Sequence, residues 1–170
     1  ENNTAVLIGD RLVARELTTN GQYKQLEKEQ GDKEFYIPDF HEIEMLYDYK
    51  YPLYEPDYQG YIAFLKDEFH IDGDPLFTIV FLTYRCLAYG GRISDVVEML
   101  ENEGLVFSSE EAVSDFAPMI INLFNHTRMA ANCGYTPNEL AEQHRALSLN
   151  KPVKKMQKVY PNDPCPCGSG

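Results

Sequence analysis

Two cysteines separated by a single proline, Cys165 and Cys167, form the pattern in this sequence that best suits a chemical role. Zinc prefers four ligands and binds thiolate sulfur strongly, whereas Pro166 fixes one backbone dihedral between the two thiols. The following Gly-Ser-Gly lets the chain turn, so both sulfurs could face one ion. The pattern indicates half of a zinc site. The competing interpretation is a proline- and glycine-rich tail with two unpaired thiols.

The ten residues around this pair, Pro161-Asn-Asp-Pro-Cys-Pro-Cys-Gly-Ser-Gly170, resemble the start of the SEC-C motif. This motif is a short zinc-binding tail of the SecA translocation motor and of many small bacterial proteins. In that family the pattern continues with lysines and an aromatic residue and ends in Cys followed by Cys or His. These further ligands are expected after Gly170 in a longer protein, so we expect zinc in the full-length molecule and at most a partial site here.

The resemblance implies a docking module that binds a protein partner, the ribosome or the translocation machinery through a basic surface. A cluster of four lysines immediately before the motif suits that role: Lys151, Lys154, Lys155 and Lys158. The implied location is the bacterial cytoplasm. Four cysteines without a secretory signal agree with a reducing compartment, where a cysteine pair more often binds metal than forms a disulfide.

A second resemblance covers Asn125-His-Thr-Arg128 and Asn132-Cys-Gly-Tyr-Thr-Pro-Asn-Glu-Leu140, which are similar to a segment of SEC-C-bearing proteins of Gram-positive bacteria. That family implies no activity. In a continuous helix, the spacing of Asn125, Arg128 and Asn132 places them on one face, and Arg128 could pair with Glu139 across the next turn. Two interpretations stay open, namely an anion- or peptide-binding strip and an ordered corner between the last two helices.

Tyrosines crowd into residues 47–61, among acidic side chains. Tyrosine offers a large contact area with few rotatable bonds and a polar tip, which suits interaction surfaces and helix–helix seams equally. Both interpretations are kept. The candidate interaction residues are Tyr47, Tyr51, Tyr54 and Tyr58, together with Asn125, Arg128 and Glu139.

No catalytic motif is present: the sequence has no phosphate loop, no dinucleotide fingerprint and no nucleophile elbow. The four histidines are scattered without a metal-ligand pattern. Cys86 lies in a strongly apolar helix and should be an inert small side chain. Cys133, beside Gly134, could be more reactive and leaves a thiol- or metal-dependent enzyme as a weak alternative.

The negative charge is concentrated in the body of the chain. Residues 151–170 contain four lysines and one aspartate, so the net charge of −12 leaves −15 on residues 1–150. Such a body repels phosphate backbones, which disfavours nucleic-acid binding by it. No apolar run approaches the roughly 18 residues of a membrane-spanning helix.

Helix signals predict an all-α, irregular bundle of about six to eight helices with a buried central helix and at most one short N-terminal strand or hairpin. The sequence divides into four parts: lead-in elements in 1–38, a helical domain in 39–150, a linker in 151–164 and the start of the knuckle in 165–170. Start and stop residues predict six helices in the domain. The first begins at a capping box at Asp39–Glu42, the second runs from Pro56 to His70, and the third, which is the central helix, runs from Asp74 to Tyr89. The last three run from Ser94 or Asp95 to Gly104, from Ser108–Glu111 to about Asn132 with a break or kink at Pro118, and from Thr136–Glu139 to Leu147.

The first third contains two helical patterns, Leu12–Leu17 and Tyr23–Lys28, and a strand candidate at Glu34–Ile37. A helix–turn–helix followed by a strand could be part of a winged helix, which gives the alternative of a nucleic-acid-associated regulator. Its mixed charges suit DNA poorly. The simpler interpretation is a loosely packed lead-in. Together these patterns favour a non-enzymatic protein-interaction or adaptor protein.

Overall fold

The computed structural model describes residues 5–9, 11–18, 21–47 and 53–149. Over these residues the chain forms an all-α multi-helix bundle with one short N-terminal hairpin, as the sequence predicts. The strands are β1 (Ala5–Ile8) and β2 (Arg11–Ala14), and the helices are α1 (Gln22–Gln30), α2 (Phe40–Tyr47), α3 (Gln59–Phe69), α4 (Gly73–Ala88), α5 (Ile93–Asn102), α6 (Glu110–His126) and α7 (Pro137–Leu149). None of these helices combines the length and the apolar character needed to cross a bilayer.

Helix α4 is the buried central helix, and it packs against α3, α5 and α6. Its Val80 and Leu87 are almost completely inaccessible to solvent. Thr83 on the same helix is also buried, and its hydroxyl lies 2.8 Å from the Tyr61 hydroxyl of α3. This contact satisfies both buried polar groups, which would otherwise destabilise the core.

An aromatic cluster joins α3 to α6 at one end of this core. The Phe116 ring lies 5.1 Å from that of Phe107 and 5.9 Å from that of Phe64, and the Phe69 ring lies 5.3 Å from that of Phe107. All three pairs are edge-to-face or tilted, the arrangements that the charge distribution of aromatic rings favours. The cluster therefore fixes how α6 lies on α3.

The predicted capping signals are confirmed in part. At α6 the N-cap residue is Ser109, whose Oγ accepts the Ala112 N–H at 3.2 Å, so the predicted capping box of Ser108 and Glu111 is wrong by one residue. At α7, Thr136 Oγ1 accepts the Glu139 N–H and Glu139 Oε2 accepts the Thr136 N–H, so the predicted capping box is complete. At α5 the N-cap residue is Arg92, not Ser94 or Asp95; the Asp95 carboxylate instead accepts the Arg92 N–H at 2.8 Å.

Helix α6 ends at His126, so the predicted end near Asn132 is wrong. Pro118 lies inside the helix and does not break it. Thr127 adopts an extended backbone conformation, and its hydroxyl donates to the Leu123 carbonyl at 2.7 Å. The Tyr58 hydroxyl lies 3.0 Å from the same Thr127 oxygen and can donate to it. Because α6 stops here, Arg128 lies beyond the helix and the predicted common helix face of Asn125, Arg128 and Asn132 does not exist.

The N-terminal elements differ from their predicted order. Leu12–Leu17 is not a helix, because Arg11–Ala14 pairs antiparallel with Ala5–Ile8 and a short 3-10 turn follows. The predicted second helix is present as α1, but Glu34–Ile37 is irregular instead of a strand. A short apolar run is ambiguous between helix and strand until its pairing partner is known. The helix–helix–strand order of the winged-helix hypothesis is therefore wrong for the described residues.

Candidate functional site

The Arg128 guanidinium lies where the segment around α2 meets the start of α7. Arg128 Nε donates to Glu42 Oε1 of α2 at 2.5 Å, and Nη1 donates to Glu139 Oε2 of α7 at 3.0 Å. Nη1 also donates to the Gly134 carbonyl at 3.1 Å. The side chain is 23% exposed, and charge-assisted hydrogen bonds are stronger in such a partly desolvated position. We call Arg128, Glu42, Glu139, Gly134 and Tyr36 the Arg128 junction.

Tyr36 covers the guanidinium from one side. The Arg128 Cζ atom lies 3.5 Å from the centre of the Tyr36 ring, a close cation–π contact. The Tyr36 hydroxyl donates to Glu42 Oε2 at 2.5 Å, so Glu42 accepts from both side chains. This hydrogen bond, with some burial, raises the pKa of Tyr36 to about 12. Tyr36 therefore stays a neutral donor throughout the physiological pH range.

The charge of Arg128 is securely retained. Burial of the guanidinium lowers its pKa, but the hydrogen bond to Glu42 and the negative charges of Glu139 and Glu42 outweigh that effect and leave the pKa above its ordinary value. Arginine is suited to this position because its planar group can stack on a ring and serve two carboxylates at once.

The loop between α6 and α7 is shaped to receive Tyr36. Cys133 and Gly134 both have left-handed backbone conformations, with φ of 55° and 91°. The Cys133 carbonyl accepts the Tyr36 N–H at 2.9 Å. A Cβ atom on Gly134 would lie 3.2 Å from the Tyr36 Cβ, so glycine suits this position through both its conformation and its size.

A cleft of about 640 Å³ opens beside the junction, between α2, the segment before α3 and the start of α7. We call it the acidic cleft, because its described lining contains five carboxylates and one arginine. Glu42 and Glu139 are engaged by Arg128, while the other three carboxylates of the described lining form no ion pair with it: Glu55, Asp57 and Glu142. Tyr54, Tyr58, Tyr84, Met45 and Pro56 provide less polar wall.

His126 lies at the edge of the acidic cleft. Its Nδ1 is 2.9 Å from the Asn122 carbonyl and its Nε2 is 3.0 Å from the Asn138 amide nitrogen. Because a carbonyl oxygen can only accept, the ring donates to Asn122 from Nδ1. Asp57 is 3.9 Å from Nδ1, and both side chains are more than a third exposed, so this contact adds little to stability.

The candidate tyrosines have different environments. Tyr58 is 2% exposed and belongs to the core seam, whereas Tyr54 is 53% exposed at the cleft. Burial raises the pKa of Tyr58 and Tyr84, so both remain neutral. Tyr47 is the last residue of α2, where only its backbone is described, and Tyr51 lies outside the described residues, as do Cys165, Cys167 and the linker 151–164.

The predicted pair of Arg128 and Glu139 is present, but Asn125 is half-buried on α6 and does not line the cleft. Sequence reasoning missed the roles of Tyr36 and Glu42. Asp39 caps the α2 N-terminus by accepting the Glu42 N–H at 2.8 Å, but the Glu42 carboxylate bonds Tyr36 and Arg128 instead of completing a capping box. The available signal was Glu42, a carboxylate at the third position of a helix. The spacing of the sequence does not indicate that its partner is the distant Arg128.

The thiols of the described body offer little support for thiol chemistry. Cys133 is 3% exposed. Cys86 is half-buried, and burial with the nearby Asp95 charge raises the pKa of its thiol, which disfavours the reactive thiolate. Within the described residues no three His, Cys, Asp or Glu side chains are grouped to hold a metal ion.

Comparison of the chain with protein-family models, with curated proteins and with solved structures finds no match.

Proposed function

We propose that this protein is a non-enzymatic adaptor whose helical body binds another protein and whose C-terminal tail adds a tether of the SEC-C type. The body supplies the recognition surface, and the tail holds the adaptor near its site of action, such as the ribosome or the translocation machinery in a bacterial cytoplasm. Two separate features support the two halves of the proposal.

The observation that carries the first half is an apolar strip within nine consecutive residues of the segment before and inside α2. Its side chains are strongly exposed: Phe35 54%, Ile37 85%, Phe40 75% and Ile43 50%. Single exposed apolar residues are ordinary, but a concentration of four large ones in one short segment is typical of protein-interaction sites.

The apolar strip is held in place by the residues between its members. Tyr36 and Glu42 point into the Arg128 junction, while Phe35, Ile37 and Phe40 remain exposed. An ordered strip loses less conformational entropy on binding than a mobile segment would. The junction therefore supports the strip as a preorganised surface.

The second half rests on the resemblance of Pro161–Gly170 to the SEC-C motif. Cys165 and Cys167 would supply two soft thiolate ligands, and a four-coordinate zinc site needs two further ligands. Zinc, when bound, would fix the fold of the tail. The four lysines before it would face an acidic partner or RNA phosphates.

Site-specific photo-crosslinking in the producing cells tests the first half. A benzoylphenylalanine at position 37 should yield an adduct with a different protein, identified by mass spectrometry. The matched control carries the same group at Val106, which is 76% exposed in the loop between α5 and α6. The same adduct from both positions, no adduct, or an adduct only with a second copy of this chain contradicts the adaptor role.

The double variant I37S/F40S checks the strip in full-length protein. Because both side chains are exposed, we expect the melting temperature of this variant to be unchanged. Its partner is followed with benzoylphenylalanine at position 43, and the adduct formed from that position should disappear in the double variant. Retention of that partner would show that the strip does not bind it.

A zinc titration of the full-length protein, read by native mass spectrometry, tests the tail. One zinc should bind per chain and be lost in C165S/C167S, while C86S, a cysteine of the body, retains it. Failure of the intact protein to bind zinc would exclude the knuckle.

A further inference from the structure

The acidic cleft has features of a binding site that the adaptor role alone does not define. It lies between α2, the Pro56–Tyr58 turn and the start of α7, and its volume of about 640 Å³ is in the range of sites that hold a few side chains of a ligand. The cleft is separate from the exposed apolar strip, because His41, Glu42 and Met45 line it, whereas Phe40 and Ile43 do not.

The charge in the cleft is strongly one-sided. Among the described lining residues Arg128 is the only arginine or lysine, and its charge is offset by Glu42 and Glu139. Glu55 and Glu142 form no ion pair with another side chain in the described part of the chain, and Asp57 has only the distant His126. Three carboxylates are therefore available to an incoming cation.

The walls of the cleft strengthen this attraction. Tyr54, Tyr84 and Pro56 place ring and aliphatic surface beside the carboxylates, and low-dielectric walls focus the field of like charges in a cleft. The exposed Tyr54 can also cover the stem or the charged head of a lysine or arginine through a cation–π contact. The Arg128–Tyr36 stack shows the same kind of contact inside this protein.

We propose that the acidic cleft binds a lysine- or arginine-bearing segment of the partner protein, with Glu55, Asp57 and Glu142 as its charge-recognising residues and Tyr54 as its stacking residue. The inference rests on the proposed adaptor function and names the chemistry of the partner. Charge complementarity selects this occupant: nucleic acid and acidic peptides are repelled by the same carboxylates.

Fluorescence anisotropy with the full-length chain tests this site. The probe is a labelled peptide of alternating lysine and alanine, and its glutamate counterpart is the negative control. At low ionic strength the lysine peptide should bind and the glutamate peptide should not, and added salt should weaken binding. Equal binding of both peptides overturns the proposal.

The triple variant E55Q/D57N/E142Q should weaken binding of the lysine peptide by about tenfold, from three partly exposed charge contacts. The matched control E98Q/E101Q/E103Q changes the net charge equally through exposed carboxylates at α5 and should alter binding by no more than about twofold. Equal losses in both triple variants would show attraction by net charge alone and overturn the site. Tyr54→Ala should weaken binding of the lysine peptide about threefold. An unchanged affinity in this variant would exclude the stacking role.

A further variant distinguishes between two possible occupants of the cleft, a segment of the partner and the chain's own basic tail. In K151Q/K154Q/K155Q/K158Q, binding of the probe should match that of the natural sequence. Binding that appears only in this variant would show that the tail occupies the cleft and would overturn a partner segment. The adaptor role is tested separately, because the crosslink at position 37 can persist when the peptide fails to bind, and the reverse can also occur.

Discussion

The helical body and the N-terminal region of this protein are held together by different forces. In the body, α3 to α6 bury a continuous apolar core that includes Tyr61, Leu65 and Phe116. Among the side chains that the structure describes before residue 48, Val13 is the only buried apolar one, and α1 buries none. The body therefore gains its stability from burial of apolar surface, whereas the N-terminal region depends on other contacts.

Those other contacts are polar and converge on the loop between α6 and α7. Gln30 Nε2 donates to the Ala130 carbonyl at 2.9 Å and Lys33 Nζ donates to the Ala131 carbonyl at 3.2 Å. The Arg128 junction adds Tyr36 and Glu42. Hydrogen bonds contribute less net stability than apolar burial, so we expect the N-terminal region to open locally before the body unfolds.

The largest expected effect is in the body. Phe116→Ala removes a 1% exposed ring from the aromatic cluster and should cost about 3–5 kcal/mol in the free energy of unfolding, measured by urea denaturation. Phe40→Ala is the matched control, since its ring is 75% exposed and its loss should cost about 0.5 kcal/mol or less. Similar costs for both would remove the distinction between the two regions.

Next in size is the loss of the Arg128 junction. Arg128→Met leaves Glu42 and Glu139 without their shared cation, and should lower the free energy of local opening of residues 22–47 by about 2 kcal/mol. Amide hydrogen exchange measures it, with Arg128→Lys as the charge-preserving control and an intermediate loss expected. An equal loss of protection in α4 would show that the two regions unfold as one unit.

Tyr36→Phe should have a smaller and pH-dependent effect. The pKa of Tyr36 is raised in the folded state to about 12 from 10.0, so its hydrogen bond to Glu42 stabilises the fold fully below pH 10 and is lost as pH rises toward 12. The difference from the natural protein should be about 1 kcal/mol near neutral pH. Urea unfolding followed by circular dichroism at several pH values checks it, and a difference that grows with pH would contradict the assignment.

The smallest effect is expected on α1. Gln25→Ala removes an exposed hydrogen bond of 2.6 Å to Glu29 one turn away, a pair worth about 0.2–0.5 kcal/mol. Thermal unfolding should therefore show almost no change. A loss above about 1 kcal/mol would show that α1 is stabilised by packing that its exposed face does not suggest.

Much of the fold could be predicted because its signals are local. The start of α7 follows from Thr136 and Glu139, because capping joins residues three positions apart, and that of α6 was predicted to within one residue. The central helix α4 follows from its apolar sequence. Strand β2 was predicted as part of a helix, because its pairing with β1 depends on the segment that lies beside Arg11–Ala14 and not on that run alone.

The site was predicted in part for the same reason. The Arg128–Glu139 pair joins residues close in sequence and was expected. The contact between Arg128 and Glu42 spans 86 positions, so nothing in the spacing of either residue indicates it. The Tyr58 hydroxyl contacts the Thr127 hydroxyl just after α6, and this pair is 69 positions apart, so spacing does not indicate it either.

The sequence by itself determined the helical class, the approximate positions of the helices, the acidic body and the cysteine pattern of the tail, because composition and contacts between near neighbours are written directly in it. Only the tertiary structure decided that Tyr36 and Glu42 join Arg128, that Tyr58 is buried while Tyr54 is exposed, and that a cleft with three available carboxylates forms beside them. These features require residues distant in sequence to meet, and the packing of the helices brings them together.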